Sequence, residues 1–301
     1  SHAESQGILL HFVLSEHETN NQTFFDDGEL GPERKLFFRE LIARFSHHAG
    51  VIWNVGEEAE NQFDDADREA MAAELAELEP YGHPVTVHNW SETEDEFDNF
   101  LGKDAIDTAA LQNVSGFYSD IPTGISDWRT RSADSGHPWT VLLTEPQKIE
   151  NNDDVSVGKP YGRREKMWPA FVGGAAGFEW YIQNDGSGHS LDQNIEDFNR
   201  IDGPLRWSGI ARDILENETP APLIGMDYGG TVSGTEGHYL EPNDGNGYWI
   251  VALPEGGSGG VDTEGKGDGD LTVTWYDPTT GEEVGTDDAG DGQFAAPPIG
   301  G

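Results

Sequence analysis

The sequence predicts an α/β protein, a (β/α)8-type barrel domain followed by a small antiparallel β-sandwich. Three observations predict it. Up to about residue 217, short apolar runs alternate with helical patterns. From about residue 219, short strands are split by Gly-, Asp- and Pro-rich turns, and no helix is signalled. Several of the early strands end in acids, His or Asn, and in a parallel barrel the reactive groups gather at the carboxyl ends of the strands.

The elements follow in order. "ILLHFVL" (8–14) is the first apolar run, and "GPERKLFFRELIARFSHHAG" (31–50) the first helix. Pro32 suits a first helical turn, Leu36, Phe37, Leu41 and Phe45 recur on one face, and Gly50 follows the end. His47 and His48 close that helix, where the dipole favours them. "VIWNV" (51–55) is the next strand, with Trp53 expected in the core, and "DADREAMAAELAELEP" (65–80) is a second helix closed by Pro80. Four more strands are expected at "PVTVHNW" (84–90), "ALQNVSGFY" (110–118), "PWTVLLTE" (138–145) and "GFEWYI" (177–182). "LDQNIEDFNRIDGPLRWSGIARDIL" (191–215) reads as a helix broken near "DGP" and then another. Strands alternating with helices imply parallel pairing through right-handed crossovers.

After the linker-like "TPAPLIG" (219–225) come "HYLEP" (238–242), "GYWIVALP" (247–254) and "LTVTWYDPTTGEEV" (271–284). Thr272, Thr274 and Tyr276 alternate with Leu271, Val273 and Trp275, as in a strand with one wet face. The expected domains are 1–218 and 219–301.

Charge narrows the partners. The chain carries 57 Asp+Glu against 17 Lys+Arg, a formal −40 over 301 residues, with only six lysines. Such an excess repels itself unless salt shortens the Debye length to about 3 Å, as at 1 M. We therefore expect a salt-adapted surface, of the kind a halophile makes, and no nucleic-acid partner, because a polyanion would be repelled. Nine Trp, fourteen Phe and eight Tyr argue for a packed core and against disorder. No apolar run reaches the roughly 20 residues needed to cross a bilayer, so no membrane insertion is expected. Without Cys there is no disulfide and no thiolate metal site. The opening "SHAESQG" lacks a Met and a signal-peptide pattern, so a processed or partial chain is expected.

Three strand ends draw attention: Glu57–Glu58 after "VIWNVG", His88–Asn89–Trp90, and Glu145. Two carboxyl groups from different strands facing each other over a cleft are what glycoside hydrolysis needs. One protonates the leaving oxygen, and the other attacks the anomeric carbon or activates water. In so acidic a chain, spacing alone leaves catalysis and surface decoration equally open.

"IWNVGEE" (52–58) resembles the fourth-strand motif of clan A glycoside hydrolases, where Trp leads through a short apolar run to Asn-Glu. The resemblance implies that Glu58 is the acid/base, with Glu57 in the place of an Asn that contacts the substrate's 2-hydroxyl. It also implies that Glu145, three strands later, is the nucleophile, and that Trp180 is the sugar-stacking Trp. Over nearly the whole chain, "HFVLSEHETN…ERKLFFRELIARFSHHAGVIWNVGEE…YGHPVTVHN" is similar to apiosidase-like, collagenase-type barrel proteins found beside polysaccharide-degrading genes. "YWIVALPEGGSGG…LTVTWYDPTTGEEV" resembles the β-domain named as the collagen-binding domain of collagenase. No HExxH motif and no Ser or Cys nucleophile motif accompanies that name. If "VIWNV" is a fourth strand, the first two strands of the barrel are missing. The chain is then part of a longer protein, or a preceding segment or second chain completes the barrel.

The implied activity is hydrolysis of a poly- or oligosaccharide by a two-carboxylate, retaining mechanism in an extracellular or cell-surface protein, with no organic cofactor. Glu57, Glu18, Asn20, His88, Asn89, Asn113 and Trp180 are the expected substrate contacts, with Trp90 a further stacking candidate. No metal site is expected among them. Clustered oxygens at 151–154, 241–247 and 262–270 could hold Ca²⁺, although none has EF-hand spacing. The rival reading is a carbohydrate-binding or cell-surface protein that keeps the scaffold without catalysis.

Overall fold

A computed structural model describes residues 2–16, 21–89, 97–112, 120–146, 162–180, 202–219, 223, 225–243, 247–263, 271–290 and 292–297. The chain divides into two compact units, residues 1–118 with 127–144, and residues 119–126 with 145–301.

The first unit is built as the alternation predicts. After a short helix α1 (His2–Ser5) come β1 (Leu10–Val13), α2 (Pro32–Phe45), β2 (Val51–Asn54), α3 (Asp65–Leu78), β3 (Val85–His88), β4 (Thr108–Leu111), α4 (Ile121–Asp134) and β5 (Thr140–Leu143). Neighbouring strands pair in parallel in chain order. With β6 (Gly177–Phe178) they make a six-stranded sheet ordered β1-β2-β3-β4-β5-β6, a partial (β/α) barrel. β1 to β5 have four residues each, fewer than their apolar runs, and the described part of "GFEWYI" is strand at Gly177–Phe178. β2, β3 and β4 are buried at every position, as parallel strands covered on both faces must be.

α2 starts with Pro32 in its first turn, as expected, but its buried stripe is Arg34, Phe38 and Ile42. Phe37, Leu41 and Phe45 only flank it, and Leu36 is exposed. The reason is Arg34: its Nε donates to the Glu29 carbonyl at 3.1 Å and its guanidinium lies over the Phe63 ring, so a charged residue occupies the core face. α3 is capped by Asp64, whose carboxylate accepts from the Asp67 amide at 2.9 Å. It buries Arg68, Met71, Ala72 and Leu75. Trp53 is a core residue, and its indole N–H donates to Glu79 at 2.8 Å.

In the second unit, α5 (Trp168–Val172) precedes β6, and α6 (Asp202–Asp213) takes the "DGP" of the broken-helix pattern as its own first turn. The residues before it, 191–201, lie outside the described set. A π-helical turn ends at Glu218, and from Met226 the described elements are all antiparallel strands. β7 (Met226–Thr231), β8 (His238–Pro242) and β9 (Ile250–Ala252) form one sheet. β10 (Ser258–Gly260) pairs with β13 (Gln293–Ala295), and β11 (Leu271–Tyr276) with β12 (Glu283–Gly290). Leu271 and Val273 are half-buried while Thr272 and Thr274 are exposed, as expected, but Trp275 and Tyr276 are both half-buried because the pairing with β12 shifts register between them.

Val232, Tyr239, Val261 and Phe294 form a core, with Trp249, Val251, Leu253, Val273 and Trp275 around it. β7 and β10 carried no sequence signal, because "MDYGGT" and "SGG" replace alternating side chains with glycine, and β13, "QFA", is too short to show one. A Cβ on Gly229 would stand 2.1 Å from the Tyr239 ring, so there the missing side chain is what lets the ring pack.

Candidate active site

The carboxyl end of the sheet is assembled by backbone bonds between loops. Ser15 sits just past β1, and its hydroxyl donates to the Val55 carbonyl at 2.8 Å. The Ser15 carbonyl accepts from the Glu57 amide at 3.0 Å, and Glu16 and Glu57 form a parallel bridge. Gly56 separates the two contacts. Its N–H donates to the Asn54 side chain at 3.0 Å, its carbonyl accepts from the His88 amide at 3.3 Å, and a Cβ would fall 2.2 Å from the Ser15 hydroxyl. The chain therefore passes through the one residue type that fits, and it delivers Glu57 to the rim.

Glu145 directly follows Thr144 at the end of β5 and belongs to the second unit, whereas Glu57 and His88 belong to the first. His88 is 4 % exposed, Glu57 and Glu145 half-buried. Burial first, and then His11 nearby, pushes His88 down to about 3, so its ring is neutral near pH 7.

Glu58 takes a different course. Its backbone is left-handed (φ 45°, ψ 42°), one of three non-glycine residues with positive φ among the described residues. For a residue with a Cβ this conformation costs roughly 1–3 kcal/mol and gathers at functional sites. Its side chain faces Gln112, just past β4, at 3.5 Å, and Asn61 at 3.5 Å. Gln112 was not picked out from the sequence, because an amide inside an expected strand carries no signal of its own.

Asn89 is buried, and its side-chain oxygen accepts from Arg68 of α3, which also binds Asp65 and lies over the Phe100 ring at 5.0 Å. Arg68 is a second residue the sequence did not flag, since it looks like any charge on a helix. Trp180 is half-buried. Its N–H donates to the Ser208 hydroxyl at 2.7 Å, and its ring meets Phe178 at 4.8 Å and Trp207 at 5.9 Å. Glu18, Asn20, Trp90, Asn113 and the loop 151–154 lie outside the described residues, as do 244–246 and 264–270 of the other two oxygen-rich loops. Among the described residues, no helix is long and apolar enough to cross a membrane.

No family model matches the sequence, and no curated protein matches it significantly. Solved structures do. A glycoside hydrolase family 5 protein from Bacteroides vulgatus superposes with a TM-score of 0.66 at 17 % identity, over 97 % of this chain and 68 % of its own. A second structure, described as a glycoside hydrolase, gives 0.65 at 16 %, over 97 % and 71 %. The likeness is one of fold. Family 5 belongs to the clan that the "IWNVGEE" motif resembles.

Proposed function

We propose that this chain is a retaining glycoside hydrolase acting on a poly- or oligosaccharide. Residues 1–218 are its partial barrel domain and 219–301 its β-sandwich domain. The single observation that carries the reading is the partial (β/α) barrel, a fold shared with glycoside hydrolases, with Glu58 following β2 and Glu145 following β5 at the carboxyl ends of its strands.

In this reading Glu145 is the nucleophile and Glu58 the acid/base, reaching from β2 toward Gln112 above β4. Glu145 attacks the anomeric carbon while Glu58 gives its proton to the departing glycosidic oxygen. In the second step Glu58 takes a proton from water, the water oxygen bonds the anomeric carbon, and the ester to Glu145 breaks. Trp180, His88 and Asn89 border the sugar, as do Glu18, Asn20 and Asn113. The acidic surface fits a salt-rich extracellular setting. β1 is an outer strand with exposed Ile8, Leu9 and Val13 beside and on it, which supports completion of the barrel by a preceding segment or a second chain.

The test is turnover of a panel of activated aryl glycosides in high salt. Glu145→Ala and Glu58→Ala should each lose about 10²–10⁴-fold in kcat. Azide should rescue Glu58→Ala with a retained-configuration glycosyl azide, and Glu145→Ala with an inverted one. Wild-type protein that binds oligosaccharide and turns over no glycoside would leave the non-catalytic binding reading in its place.

A further inference from the structure

We propose that Gln112 is a positioning residue for Glu58: its side-chain amide holds one carboxyl oxygen, Oε1, and so leaves the other, Oε2, to carry the proton. This rests on the reading of Glu58 as the acid/base, and both residues belong to the first unit.

Gln112 is the fixed partner of the two. It directly follows β4 and is 8 % exposed. The Leu111 carbonyl before it accepts from the Thr144 amide at 2.9 Å and from the Thr144 hydroxyl at 3.2 Å. Backbone and side chain are therefore both held, and Nε2 is presented 3.5 Å from Oε1 of Glu58. Catalytic hydrogen bonds are often this long before substrate binds, and they tighten when it closes the site.

Glu58 is the partner that has to be aimed. Its left-handed backbone is one that residues with a Cβ rarely adopt and that glycine adopts without strain. The neighbours impose it from both sides. The Glu57 amide is bound to the Ser15 carbonyl at 3.0 Å, the Glu58 carbonyl accepts from the Asn61 amide at 3.0 Å, and Ala59 between them is buried. The result is a half-buried carboxyl group facing a buried amide. Its other oxygen, Oε2, faces the side chain of Asn61 at 3.5 Å. Asn61 is exposed and can turn aside for a substrate oxygen, whereas the buried Gln112 cannot.

An amide N–H donates to Oε1 whether Glu58 is a carboxyl or a carboxylate, so Gln112 plays the same part in both steps. In the first step the proton passes from Oε2 to the glycosidic oxygen as the bond from that oxygen to the anomeric carbon breaks. In the second, Oε2 takes the proton of the attacking water. Without the amide the carboxyl group rotates, and the aligned fraction falls.

The test compares leaving groups in the full chain. Gln112→Met keeps the length of the side chain and removes the donor, and Gln112→Glu keeps the shape and can only accept when ionised. On 2,4-dinitrophenyl glycosides, whose phenolate departs without a proton, kcat/KM of each variant should stay within about 3-fold of wild type. On unsubstituted phenyl glycosides of the same sugar, which need the proton, each should lose about 10–10²-fold. Equal losses on both substrates, or no loss on either, would overturn the proposal.

A second readout needs no substrate and no change at Gln112. The ¹⁵N-labelled side-chain amide of Gln112, assigned through its own backbone by NMR, should shift in Glu58→Ala. A signal unmoved by Glu58→Ala would overturn the proposal. A shifted signal in a wild type that turns over no glycoside would sink the glycosidase reading, and with it the catalytic part of Gln112, while the contact itself stood.

Discussion

His88 gives the sharpest pH prediction. Its ring is 4 % exposed, and burial lowers it from an ordinary 6.5 to about 3. Between those values the unfolded chain binds a proton that the folded chain refuses, so stability must rise with pH. The contribution is complete above pH 6.5 and is lost as pH falls toward 3, at about 1.4 kcal/mol per pH unit. At pH 5 the loss amounts to about 2 kcal/mol. Replacing His88 with Gln keeps a neutral polar side chain and removes the titration.

Urea unfolding followed by tryptophan fluorescence, at pH 7 and pH 5 in the same high salt, reads the difference. Both proteins will lose stability to carboxylate protonation. The wild type should lose about 2 kcal/mol more than His88→Gln. Equal losses would mean that His88 titrates alike in both states, and the burial argument would be refuted.

Other outcomes can be checked with simple measurements. Gly56→Ala puts a Cβ 2.2 Å from the Ser15 hydroxyl, so it should cost about 1–3 kcal/mol and reduce turnover through displacement of Glu57. Circular dichroism melts with kcat/KM would show both effects, and a neutral Gly56→Ala would deny the close contact. The net charge of −40 predicts a melting temperature that rises with KCl and falls as the Debye length grows to about 10 Å at 0.1 M. A melting temperature indifferent to salt would remove the case for salt adaptation. Glu58→Gln should lower kcat and leave oligosaccharide binding by calorimetry within a few-fold, and loss of binding instead would assign it to substrate contact.

Local chemistry determined a good deal of this protein. Alternating apolar runs and helical stripes predicted parallel strands with helices between them, because periodicity in a chain reports which face is buried. Pro32 marked a helix start and Pro80 a helix end through backbone geometry, which acts within a turn. The half-buried alternation of "LTVT" was legible for the same reason.

Contacts between distant segments were decided only by the tertiary structure. Arg34 lines a core face because Phe25, Glu29 and Phe63 provide partners that no pattern within α2 could reveal. β7 and β10 are glycine-rich strands whose place depends on neighbours such as Tyr239. The sequence placed Glu57, Glu58, His88 and Glu145 at strand ends. How Glu57 is held depended on Gly56 fitting under Ser15, a contact across 41 residues of chain that no pattern within β2 could reveal.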